Sequence, residues 1–104
     1  MATAITIDRD RVLRVLRDKR EHIEREYGLR MIGIVGSVAR GDATEESDID
    51  VWVDMLRTPT LFQLVGAENE VSDALGAGQR VEFVLRENLR QGVRERMARD
   101  LVQL

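Results

Sequence analysis

The chain has 104 residues, 43% of them hydrophobic and 34% charged, which fits one compact domain over residues 1–104 and leaves no room for a second. A formal charge of −3 argues against direct nucleic-acid binding, which needs a basic face to neutralise phosphates, and the absence of cysteine excludes disulfides and thiolate zinc sites. No apolar run is long enough for a membrane span, and acidic residues interrupt the N-terminus too early for a secretory signal, so a cytoplasmic protein is expected.

Residues 1–7 carry no usable pattern. From Asp8 the chain reads as a helix: Val12, Leu13, Leu16, Ile23 and Tyr27 recur on one stripe, with Asp8 as N-cap and Gly28 as the left-handed residue that ends it. His22 lies among charges in this helix and reads as a solvated surface histidine, with nothing nearby to orient it. Leu29 to Val35 is short, rich in β-branched and other apolar residues, and bounded by glycines, which predicts a strand; Gly33 within it points to close approach by another backbone. Gly36-Ser37 and Val38-Ala39-Arg40 make about one helical turn, which Gly41 stops, and residues 42–47 form a loop.

Residues 48–54 alternate. Ile49, Val51 and Val53 face one side, and Asp48, Asp50, Trp52 and Asp54 the other. Trp52 reads as packing under a neighbouring helix or as a stacking surface for a base or partner. Thr58-Pro59 opens the next helix, with Leu61, Leu64, Val65, Val71 and Leu75 as its stripe and Gly76 at its end. Residues 80–85 form a third strand with Val81, Phe83 and Leu85 inward and Glu82 outward. Asn88 caps a last helix whose stripe is Leu89, Val93, Met97 and Leu101. The predicted class is α/β, a mixed sheet of at least three strands with helices packed against it. The core of so short a chain is modest, and oligomerisation, with itself or a partner, would help it.

The chemistry concentrates in residues 31–54. A Gly-Ser turn between a strand and a short helix exposes backbone N–H groups with no carbonyl partner, which suits an anion such as phosphate. The Ser37 hydroxyl adds a donor, and Arg40 stands one turn on. After ten intervening residues Ser37 is followed by Asp48 and Asp50, at i and i+2 on one strand face and so roughly 6–7 Å apart. Three aspartates on one short face repel one another unless a cation or basic groups sit opposite. Magnesium takes few protein carboxylates and completes its shell with water and phosphate oxygens, which fits this pattern. Glu82 is either an ordinary exposed edge residue or, if its strand lies beside residues 48–54, a third convergent carboxylate.

The spacing Gly36-Ser37, ten residues, Asp48-Ile49-Asp50 resembles the signature of the DNA polymerase β-like nucleotidyltransferase superfamily, whose fold resembles a polymerase palm. The stretch GSVARGDATEESDIDVWVD is most similar to the minimal nucleotidyltransferases, or MNT proteins, and the likeness runs from residue 30 to the end. The resemblance implies that Gly36, Ser37, Arg40 and Ser47 bind ATP, and that Asp48, Asp50 and Glu82 hold Mg2+ and carry the catalysis. Glu82 stands where the family usually has aspartate. Members of this size resemble antitoxins of HEPN/MNT toxin–antitoxin modules, which implies transfer of AMP from ATP to a tyrosine hydroxyl of a HEPN-domain toxin. The alternative is a weakly active or inactive antitoxin that neutralises the toxin by stoichiometric binding.

Overall fold

A computed structural model describes residues 7–76 and 78–104. The first helix, α1 (Arg9–Tyr27), starts where the Asp8 carboxylate accepts the Arg11 backbone N–H and ends at Gly28, whose φ of 67° is the left-handed closure expected of glycine. Its stripe is buried at Val12, Leu13, Leu16 and Ile23, while Tyr27 is half-buried with its ring over Gly66. His22 differs from expectation. Its Nε2 lies 3.0 Å from Glu70 Oε2 across the junction with the third helix, so a partner four dozen residues away orients it.

After α1 come β1 (Leu29–Val35), the short α2 (Gly36–Arg40), β2 (Ile49–Met55), α3 (Leu61–Leu75) and β3 (Val81–Leu85). A 3-10 turn over Arg86–Asn88, α4 (Gln91–Asp100) and β4 (Val102–Gln103) complete the chain. The sheet order is β3-β2-β1-β4, with β1 antiparallel to β2 and β4, and β2 parallel to β3. The sheet is therefore mixed, and α1 and α3 cover one face of it, which puts Ile49, Val51 and Val53 of β2 in the core with no exposed surface. Each such fully buried side chain contributes about 1.5–3 kcal/mol.

The edges are closed by local devices. Gly33 lies at a register shift of β1, and a Cβ there would collide with the Val102 carbonyl, so the backbone approach expected at Gly33 is that of β4. At the other edge, Ser72 Oγ accepts the Val81 N–H at 3.0 Å and Glu68 Oε2 accepts the Phe83 N–H at 2.7 Å. Residues four apart on a helix and two apart on a strand have nearly equal rise, so α3 replaces a missing strand with two side chains.

Four local readings need correction. The third helix begins at Leu61, not at Pro59: Thr60 and Gln63 form a reciprocal capping box, which outcompetes proline as the start signal. Leu61 and Val65, assigned to its apolar stripe, face solvent, and the stripe is instead Ala67, Val71 and Leu75 with Leu64 half-buried. Asn88 lies in the 3-10 turn and caps nothing; α4 starts three residues later, and none of its residues is fully buried. Leu101 lies past the end of α4, and the segment after it is the unforeseen strand β4.

Candidate active site

The site forms where β2 and β3 run side by side. Their parallel register places Asp50 opposite Glu82 and Ile49 opposite Val81. The strand adjacency on which a third carboxylate depended is therefore present, although Asp48, Asp50 and Glu82, expected as metal ligands, do not by themselves close into a metal-holding group among the described residues. On the other side of β2, Val35 pairs with Asp50, and the chain turns immediately into Gly36. Gly36 has φ 74°, and a Cβ there would lie 2.7 Å from Asp50 Oδ2. Glycine is thus required twice, for its backbone angle and for the space Asp50 fills. The Gly-Ser turn and the acidic strand touch at this point.

Asp50 registers the crowding. Burial, then the Glu82 charge, then Asp48 raise its pKa from 3.8 to about 6, against an opposing pull from Arg40. Both the neighbouring acids and Arg40 are thus within electrostatic reach of this carboxylate. Asp48 has a basic neighbour: Arg80 Nε lies 3.1 Å from its Oδ1. The N–H is not aimed at that oxygen, so among the described residues Asp48 Oδ1 is buried without a hydrogen bond. Asp54 repeats the arrangement with Arg86 Nε at 2.8 Å and an Oδ1 that likewise makes no aligned bond. Each arginine offsets the charge of its aspartate, but the occluded oxygen lacks an aligned donor, which leaves room for a further donor or cation on this face.

Among the described residues no three acidic or imidazole side chains are close enough to form a ready-made metal cage. Magnesium does not need one, since one or two carboxylates with phosphate oxygens and water satisfy it. Asp48 and Asp50, with an unbonded buried oxygen on the first and crowding on the second, fit that requirement.

The remaining predicted residues lie nearby in differing states. Ser37 sits in the first turn of α2, and its carbonyl accepts the Gly41 and Asp42 N–H groups that close the turn. Arg40 is paired on both sides, Nε to Asp42 Oδ2 at 3.2 Å and Nη1 to Asp100 Oδ2 at 3.0 Å. Ser47 braces the loop: its Oγ accepts the Thr44 N–H at 2.9 Å. It also lines a cavity of about 470 Å³ with Glu45, Glu46, Gln79 and Arg80. Trp52 is buried, 4% exposed, opposite Gly33 and Val84, and among the described residues its Nε1–H has no partner. It packs, and it offers no open ring to a base.

Arg80 and Asp100 escaped the sequence reading. Arg80 had a signal, since it precedes Glu82 by two and strand alternation puts both on one face. Asp100 had none, because its contact to Arg40 spans 60 residues.

Residues 16–103 match the family model of the nucleotidyltransferase domain. The chain is 32% identical over 88 residues to the protein adenylyltransferase MntA of Thermococcus cleftensis, covering 85% of this chain and 87% of that one. A solved structure described as a minimal nucleotidyltransferase superposes with TM-score 0.68 at 32% identity, over 88% of this chain and 95% of the other. A toxin–antitoxin structure with AMP-PNP shares the fold at 21% identity and TM-score 0.56, covering 84% of this chain and 64% of that one.

Proposed function

The chain belongs to the nucleotidyltransferase domain family, and on that premise we propose that it is an antitoxin that transfers AMP from ATP to a tyrosine hydroxyl of a HEPN-domain toxin. The observation that carries this reading is the contact of Gly36 with Asp50, in a strand register that sets Asp50 opposite Glu82. Its relatives add support: one is named a protein adenylyltransferase, and a fold neighbour is a toxin–antitoxin pair with a nucleotide analogue.

In this mechanism the backbone at Gly36 admits a phosphate closely, and the Ser37 hydroxyl donates to it. Arg40 and Ser47 stand by as further nucleotide contacts. Asp48 and Asp50 would hold Mg2+, which supplies charge neutralisation at the phosphates when bound. The tyrosine oxygen attacks the α-phosphorus, the new O–P bond forms as the bond to the bridging oxygen breaks, and pyrophosphate leaves. Glu82 accepts the phenolic proton. Such a reaction asks for positioning and electrostatics more than for covalent help, and a small domain can provide both. No described helix is long and apolar enough to cross a membrane.

The test is the mass of the toxin after incubation with this protein, ATP and Mg2+. A gain of one or more AMP groups is the expected result, and an unchanged mass with competent protein rejects the transfer. Stoichiometric masking of the toxin is the second reading, favoured by Glu82 at a position the family usually gives to aspartate. If Asp48→Ala with Asp50→Ala still protects cells fully, masking is the function.

A further inference from the structure

We propose that Asp100, at the end of α4, is a positioning residue that holds the Arg40 guanidinium beside the phosphate turn for nucleotide binding. The inference rests on the reading of Arg40 as a nucleotide contact and adds the group that aims it. Arg40 and Gly36 belong to one five-residue helix, and Gly36 abuts Asp50, so Arg40 is fixed within one turn of the reacting groups. An arginine side chain is otherwise free to rotate and loses much of its binding value to that freedom.

Two carboxylates remove the freedom here. Asp42 takes Nε and Asp100 takes Nη1, from opposite ends of the sequence. Among the described residues nothing bonds Nη2, so its two N–H groups and one on Nη1 remain for a phosphate. The pairing is therefore compatible with anion binding and does not consume the cation's donors.

The placement of Asp100 is itself informative. It is the last residue of α4, where the helix dipole is negative and a carboxylate is disfavoured. Its side chain is only 27% exposed, so solvent does not fully relieve that cost, and among the described residues Arg40 is the cation paired with it. A residue that violates the local preference of its own helix and is offset by one partner at a functional site is explained by that partner. Asp42 alone, 62% exposed and two residues away, would be a weak and mobile restraint.

Equilibrium binding of ATP with Mg2+ to the full chain tests the assignment, using Arg40→Ala, Asp100→Ala, Asp100→Asn and the double alanine variant. Arg40→Ala is expected to weaken binding about 10-fold and Asp100→Ala about 5-fold, with Asp100→Asn between Asp100→Ala and wild type. The double variant should bind no more weakly than Arg40→Ala alone, because Asp100 acts only through Arg40. A general loss of structure would instead multiply the two effects, and that outcome, unchanged affinity in Asp100→Ala, or tighter binding there overturns the proposal. If Arg40→Ala itself leaves ATP affinity intact, the nucleotide role of Arg40 fails too. A weakened Arg40→Ala with a normal Asp100→Ala overturns only the positioning role.

Discussion

One strand, β2, shows the two faces of the molecule side by side. Toward α1 and α3 it sends Ile49, Val51 and Val53, all without exposed surface and all in one apolar cluster with Leu16, Ile23 and Val71. On the opposite side it carries Asp50, Trp52 and Asp54, with Asp48 just before its start, and three of these four leave a buried polar atom without an aligned partner among the described residues. The same seven-residue backbone thus supports one face whose interactions are complete and one whose interactions are not. Stability resides on the first face. The second is held by ion pairs to Arg80 and Arg86 that leave polar atoms unaligned, and such atoms call for an explanation.

The sharpest way to break the comparison is to strip the incomplete face. Asp48→Ala with Asp50→Ala should lower AMP transfer by at least about 1000-fold, the scale of several kcal/mol of charge stabilisation. The melting temperature should not fall, because neither carboxylate supports the core. A large loss of stability in this variant would mean that the acids hold the fold together. The reverse experiment is Leu16→Ala on the complete face. It should cost about 3 kcal/mol in denaturant unfolding while nucleotide affinity per folded molecule stays near wild type.

The two faces also differ in how well the sequence announced them. Period-2 alternation put each residue of 48–54 on its correct side, and the caps at Asp8, Gly28 and Gly41 were readable because each acts within a few residues. Glu82 could be placed only conditionally, since alternation gives a face but no neighbour, and the β2–β3 register supplied the rest. What stayed hidden was either long-range or too short to carry a period. The His22–Glu70 and Arg40–Asp100 pairs join distant segments, and β4 is two residues long. In α3 the failure was of a different kind: Leu61 and Val65 match a helical stripe in composition, but only the packing of α3 on α1 decides which side is inward.

A smaller effect separates the cost of the site from its activity. Asp50 in the folded chain has a pKa of about 6 against 3.8 for the free group, so between these values the native state binds the proton more tightly. This group therefore stabilises the fold as pH falls from about 6 toward about 4, and that contribution is lost as pH rises through 6. Asp50→Asn removes the charge and should stabilise the protein at pH 7.5 by about 1 kcal/mol, well below the unscreened conversion because the side chain is only half-buried. Transfer activity should fall in the same variant. Urea unfolding at pH 7.5 and pH 5 checks both signs: the gain should shrink at the lower pH, and a variant less stable than wild type at pH 7.5 would contradict it.

The smallest effect lies on neither face of the sheet, between the end of β2 and the first turns of α3, where Leu56, Leu61, Phe62 and Val65 are all exposed and Phe62 is 91% so. A residue that open gains almost nothing from the fold, since burial is what makes an aromatic ring stabilising. Phe62→Ser should change the unfolding free energy of the isolated chain by less than about 0.5 kcal/mol, measured by urea titration at micromolar concentration. The value of the measurement is its concentration dependence. If the loss grows as protein concentration rises, Phe62 is buried against a second copy in solution, and stability would then depend on a surface outside the two faces of β2.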